Sequence, residues 1–301
     1  MKRSATSSDN SSREGRARWD RRILGVSIGT LALAIGAVLW LGINNTSRET
    51  LGHFPVVTTS RSTTYPLGSL DDANPSGMAP PGPDALAGYH RSYVNDFTGS
   101  TTPPGWYLFS GVPSGDPSGQ FDARHVVFAN GMLQLNTWKD PRYSNKWVTG
   151  GLCQCGLHQT YGAYFVRSRI SRAGPNEVQL LWPTSNNWPP EIDFNETGDS
   201  VRSSSWTVHW GVVNHIVQQS IFIDMRRWHT WGVIWSRTSI IFTVDGRQWG
   251  DFRTVANIPK EPMSLHFEQL ASCANSRYCP RAPATMQIDW VAEYTRNAWH
   301  S

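Results

Sequence analysis

From about Tyr93 onward, short strand-like runs rich in apolar residues recur between turn signals, and no long stretch keeps a 3.6-residue period. The runs are Tyr161–Ile170, Val178–Leu181, Glu191–Glu196, Ser205–Val212, Trp228–Trp235, Ile240–Val244 and Met286–Tyr294. Their shortness and their β-branched and aromatic content predict strands. Asp245-Gly246, between IIFTV and RQW, predicts a tight hairpin, because both residues tolerate positive φ. Closely spaced strands of this kind imply a β-sandwich or barrel.

The first 90 residues follow a different pattern. Ile23–Ile43 is a run of 21 residues without a charge. As a helix rising about 1.5 Å per residue it would cross one hydrocarbon core. Residues 1–22 carry seven Lys or Arg against three acids, which accounts for the whole net charge of +4. A basic stub before an apolar span predicts a cytoplasmic start (1–22), a transmembrane signal-anchor helix (23–43) and export of everything beyond it. Trp40 suits the outer interface. The alternative is a cleaved signal peptide and a secreted product, although this run is longer than the usual apolar region of about 7–15 residues. Residues 44–90 are rich in Ser, Thr, Pro and Gly and read as an extended linker. A globular β domain over 91–301 completes the expected organisation. With the basic excess confined to the stub, no nucleic-acid surface is expected.

Cys153, Cys155, Cys273 and Cys279 all fall on the exported side, where disulfides persist. Of three connectivities, Cys273–Cys279 with Cys153–Cys155 is preferred, and a zinc site is the weaker alternative because the spacings fit no common zinc motif.

The segment Trp188-Pro-Pro-Glu191-Ile-Asp193-Phe-Asn195-Glu196 carries the candidate chemistry. Alternation puts Glu191 and Asp193 on one face of a strand, with Ile192 and Phe194 on the other. Strict alternation would then bury Glu196 among apolar side chains, which is costly. A β-bulge at Phe194–Asn195 inserts one residue and returns Glu196 to the acidic face. Close carboxyls raise one another's proton affinity, and an acid beside an ionised carboxylate is what glycoside hydrolysis requires.

Glu191-Ile-Asp-Phe-Asn-Glu196 resembles the bulged active-site signature of glycoside hydrolase family 16, the family of laminarinases and lichenases. Further segments resemble the family in order: Phe97-Thr-Gly, Gly105-Trp106, Gly131-Met-Leu-Gln-Leu, Thr149-Gly150-Gly151, Tyr161 to Arg167, Trp228 to Gly246, and Ile288-Asp-Trp-Val291. The resemblance spans roughly residues 92–296. It departs at Pro190, where Gly is frequent, and at Asn195, where laminarinases often carry an apolar residue.

The resemblance implies an all-β, concanavalin A-like jelly-roll sandwich of two antiparallel sheets. It also implies a retaining mechanism with Glu191 as nucleophile, Glu196 as general acid/base and Asp193 tuning protonation between them. The implied partner is a polysaccharide, best a β-1,3- or mixed-linkage glucan. Trp182, Trp188, Trp206, His209 and Gln269 are the candidate substrate-binding residues. Trp206 and Trp210 share one face of their strand and His209 takes the other. No cofactor is expected, although Asp116 and Asp122 in SGDPSGQFD could help hold a structural calcium outside the EF-hand pattern. A monomer at the cell membrane is expected. An envelope-remodelling transglycosylase and a non-catalytic carbohydrate-binding sandwich are the competing readings.

Overall fold

In the computed structural model, which describes residues 64–114, 116–274 and 279–297, the expected strands pair into two stacked sheets. Ile23–Ile43, the expected anchor, lies outside the described residues, as do the stub and residues 44–63 of the expected linker. Among the described residues, no helix is long and apolar enough to cross a membrane.

One sheet has seven strands in the spatial order His215–Phe222, Ser203–Trp210, Glu191–Glu196, Asn176–Pro183, Met263–Leu270, Gly151–Cys153 and Tyr107–Leu108. The other has nine and runs Arg247–Phe252, Ile240–Val244, His229–Trp235, Gly162–Ile170, Ala284–Arg296, Met132–Asp140 and Val126–Ala129. Tyr89–Asn95 adds to Ala284–Arg296 and Lys146–Val148 adds to Met132–Asp140. Every pairing between these strands is antiparallel, which makes the domain an all-β jelly-roll sandwich. Asp245 and Gly246 adopt φ of 48° and 74°, the geometry of the expected primed turn.

Inward-facing positions of both sheets form the core. Ile192, Phe194, Trp206 and Val208 meet Trp231, Val233 and Phe242 from the opposite sheet. The indole of Trp206 stacks on Phe242 with centroids 4.5 Å apart and planes within 5°. Gly250 makes this possible, since a Cβ there would sit 1.9 Å from Trp206 Nε1. Trp206, expected in substrate binding, is therefore a core residue. Its strand alternates with Val208, and that parity faces the interior.

The expected linker of residues 44–90 is corrected over its described part. Strands Gly162–Ile170 and Ala284–Arg296 are apolar on both faces, and Phe165, Trp290, Ala292 and Tyr294 form a second cluster. Tyr65, Leu86 and Tyr89 pack against that cluster. Trp290 Nε1 donates to the Met78 carbonyl at 2.9 Å, and Tyr294 Oη donates to the Gly82 carbonyl at 2.8 Å. The Thr230 hydroxyl donates to the Leu67 carbonyl at 2.8 Å. Residues 64–90 thus cover an apolar sheet face that would otherwise meet water.

Disulfides join Cys153 to Cys155 and Cys273 to Cys279, in the preferred connectivity. Asp122 accepts from Tyr143 Oη at 2.6 Å and pairs with the Arg124 guanidinium, which holds its carboxyl well below the usual range. Asp116 accepts from the Ser118 hydroxyl at 2.6 Å and the Ser272 hydroxyl at 3.0 Å. Protein donors thus occupy both carboxylates considered for calcium.

Candidate active site

The Glu191–Glu196 strand carries the expected bulge. Against Ser203–Trp210, Asp193 pairs with Thr207 and Glu196 with Ser205, so three steps on one strand face two on its neighbour. On the other side, Asp193 lies opposite Leu180 and Asn195 opposite Gln179, which confines the extra residue to Phe194–Asn195. Phe194 and Asn195 both end up buried. Phe194 fills the core, and Asn195 Oδ1 accepts from the buried Ser204 hydroxyl at 2.6 Å. Glu196 turns back to the face of Glu191 and Asp193.

That face is a shallow floor crossed by successive strands. Cross-strand partners share a face, so Thr207 and His209 flank the acids on one side. Leu180 and Trp182 flank them on the other, followed by Ser264 and His266. Half-buried Glu191 and Glu196 open onto the floor, while Asp193 between them is only 3% exposed.

Burial dominates the electrostatics. It pushes the Asp193 carboxyl well above the usual range, and the charges of Glu191 and Glu196 push it further. Burial also raises Glu191, opposed by His209, by the Trp188 indole and by a hydrogen bond from Asp193. Trp188 Nε1 donates to Glu191 Oε2 at 2.6 Å. His209 Nε2 lies 3.3 Å from Asp193 Oδ2, and its Nδ1 contacts Asn214 Oδ1 at 2.8 Å. Both carboxyls are thus shifted toward their protonated forms, the buried central acid more strongly than Glu191, whose anion His209 and the Trp188 indole favour. Glu196 accepts from Asn176 Nδ2 at 2.9 Å and from the Thr207 hydroxyl at 3.3 Å. Two half-buried carboxyls open to solvent with a buried third between them supply the kind of groups that cleavage of a glycosidic bond uses.

A family model for glycosyl hydrolases family 16 matches residues 118–292. The chain belongs to glycosyl hydrolase family 16. Membership makes it a glycosidase. Among solved structures, the endo-beta-1,3-glucanase from Pyrococcus furiosus is similar, with a TM-score of 0.60 and 16% identity over 69% of this chain and 95% of that one. The laminarinase catalytic domain from Thermotoga maritima gives 0.61 at 15% identity, covering 69% of this chain and 99% of its own. The Bacteroides ovatus mixed linkage glucan family 16 protein, in complex with a product, gives 0.59 at 17%, covering 67% and 99%. At these identities the likeness shows the shared sandwich. No curated protein matches the chain in sequence.

The remaining candidates separate by strand parity. Trp188, 45% exposed, stands beside the acids with its ring 5.7 Å from His209. Trp182 lies on the floor, its Nε1 donating to Asn186 Oδ1 at 3.1 Å. Gln269 is corrected: it is fully buried, donates to Glu177 Oε1 at 2.7 Å and accepts from the Thr137 hydroxyl of the opposite sheet at 3.0 Å. Its neighbours Glu268 and His266 take the floor instead. Alternation from the fully buried Phe267 and Leu265 carried that signal only once the register was known. Asn176 and Thr207, which hold Glu196, had no motif to announce them.

The parity difference has a measurable consequence. Trp206→Ala is expected to destabilise the domain by about 3–5 kcal/mol through the cavity it leaves. Trp188→Ala is expected to raise KM for a polysaccharide several-fold with little change in denaturation midpoint. Chemical denaturation and steady-state kinetics on the two variants check this pair of outcomes.

Proposed function

We propose that the protein is a membrane-tethered, extracytoplasmic, retaining endo-glycosidase that cleaves a β-linked glucan of the β-1,3 or mixed-linkage type. The observation carrying this reading is the bulged strand, which presents Glu191, Asp193 and Glu196 on one open face with the middle acid buried between the other two. Glu191 attacks the anomeric carbon while Glu196 protonates the departing glycosidic oxygen, giving a covalent glycosyl-enzyme. Water then attacks the same carbon, passes its proton to Glu196 and frees Glu191. Asp193 holds its proton toward Glu191, which favours the anion before attack and orients the carboxylate. Trp188 forms a wall of the substrate groove. The substrate class draws support from the names of the similar structures, an endo-beta-1,3-glucanase and a mixed linkage glucan protein.

Tethering is supported by the uncharged Ile23–Ile43 run behind a basic stub, and export by the two disulfides. The test is incubation of the full-length protein with laminarin and mixed-linkage glucan, with nascent products followed by proton NMR. β-Anomeric oligosaccharides formed first support the reading. An α-anomer first overturns retention, and no release from either polymer overturns the substrate class. Membrane fractionation with external protease digestion checks the topology.

A further inference from the structure

Beyond the three acids, the floor contains a hydrogen-bond relay that ends on Glu196 and begins on the edge strand. Gln218 lies directly opposite Thr207 in the pairing of His215–Phe222 with Ser203–Trp210. Its Nε2 donates to the Thr207 hydroxyl oxygen at 2.9 Å, and that hydroxyl reaches Glu196 Oε2 at 3.3 Å. Thr207 is 2% exposed, whereas Gln218 is exposed on the edge strand. A hydroxyl has a single proton to give. Once its oxygen accepts from an amide, the remaining favourable use of that proton is donation to the carboxylate. The 3.3 Å separation is long for an O–H donor, which makes this contact the weaker link of the relay. Asn176 Nδ2 fixes the other oxygen, Oε1, at 2.9 Å. Glu196 is thus held from both neighbouring strands, and only the Thr207 side has its polarity set by a third residue.

We infer that Gln218 is a positioning residue for the acid/base step, acting through Thr207 to fix which way the hydroxyl points and hence how the Glu196 carboxyl is presented to the glycosidic oxygen. This rests on the assignment of Glu196 as the proton donor. The relay is polar and directional, so the shape of the edge side chain matters less than its ability to donate. Gln218→Glu keeps that shape but leaves an ionised group that can only accept. It would draw the Thr207 proton toward itself and away from Glu196.

The experiment compares two substrates in the full-length protein. A β-glucan oligosaccharide needs a proton on its leaving oxygen, while a dinitrophenyl glycoside of the same oligosaccharide departs as a stable anion and needs none. Gln218→Glu and Gln218→Leu are expected to lower kcat/KM on the oligosaccharide by about tenfold, the scale of one hydrogen bond to a charged group. On the dinitrophenyl glycoside the loss is expected to stay within about twofold. Thr207→Val should give the same split, and adding Gln218→Glu to Thr207→Val should cause no further loss, because the relay has one path. Equal losses on both substrates, no loss on either, or additive losses in the double variant each overturn the relay while leaving the glycosidase reading standing. A parent protein inert on both substrates overturns that reading and the relay with it.

Discussion

Glu191→Gln is expected to lower kcat/KM on a β-glucan by about four orders of magnitude or more, because an amide cannot form the glycosyl-enzyme. The substitution is nearly isosteric, and the Trp188 indole that donates to Glu191 Oε2 can still donate to the amide oxygen. Asp193 loses an anionic neighbour that pushes its carboxyl upward. The denaturation midpoint should therefore stay close to that of the parent, and loss of turnover would be chemical. Initial-rate assays on laminarin and mixed-linkage glucan, run beside a thermal melt, measure both. Turnover equal to the parent's would remove Glu191 from the chemistry, and with it the assignment of the strand as the reacting edge.

The second large effect concerns stability against pH. Glu293 is buried, and its carboxyl is pushed up to about 8 by burial, partly opposed by the nearby Gln154 amide. Glu177, buried between the sheets beside Gln269, is pushed well above the usual range by the same cause. A raised folded-state value means that the native form holds a proton the unfolded chain has released. The stabilisation is complete below the ordinary carboxyl value near 4.5 and is lost as pH rises toward about 8. At roughly 1.4 kcal/mol per pH unit, Glu293 alone corresponds to a few kcal/mol across that window. The parent should melt at a lower temperature at pH 8 than at pH 5. Glu293→Gln should flatten that dependence by about 5 °C or more, given 2–4 °C per kcal/mol at this size. Calorimetric scans across that pH range decide the matter, and identical slopes for parent and variant would refute it.

The reacting strand was legible because two physical demands met in six residues. Ile192 and Phe194 had to face a core, and Glu196 could not follow them without an unpaired buried charge. Only an inserted residue satisfies both, and the structure places it at Phe194–Asn195. The strands and the Asp245-Gly246 turn were legible for a similar reason, since each encodes its own period or backbone requirement. Trp206 was misplaced because alternation set it opposite His209 without saying which of the two faces the groove takes, and Gln269 because its assignment followed resemblance to a groove-lining segment. Three residues along from Trp206, His209 faces the groove, and one residue back from Gln269, Glu268 does. Gln218 was invisible because its role depends on the register of an edge strand that composition does not mark.

Residues 64–90 were misread on composition. Ser, Thr, Pro and Gly suggested a chain with too little apolar surface to fold, and that holds only for a segment that must fold alone. Here the apolar partner already exists on the sheet, in Phe165, Trp290 and Tyr294, so a few side chains and backbone carbonyls suffice. The signal lay in the strands, whose apolar residues run through both parities and demand cover on two sides.

If the protein is held at a membrane as proposed, that covering segment limits where a protease can set it free. Cleavage upstream of Tyr65 would shed an enzyme with its lid in place. A nick beyond Gly82 would instead leave the Leu67, Met78 and Gly82 contacts on the tethered side and release a molecule with a bare aromatic flank, prone to clump.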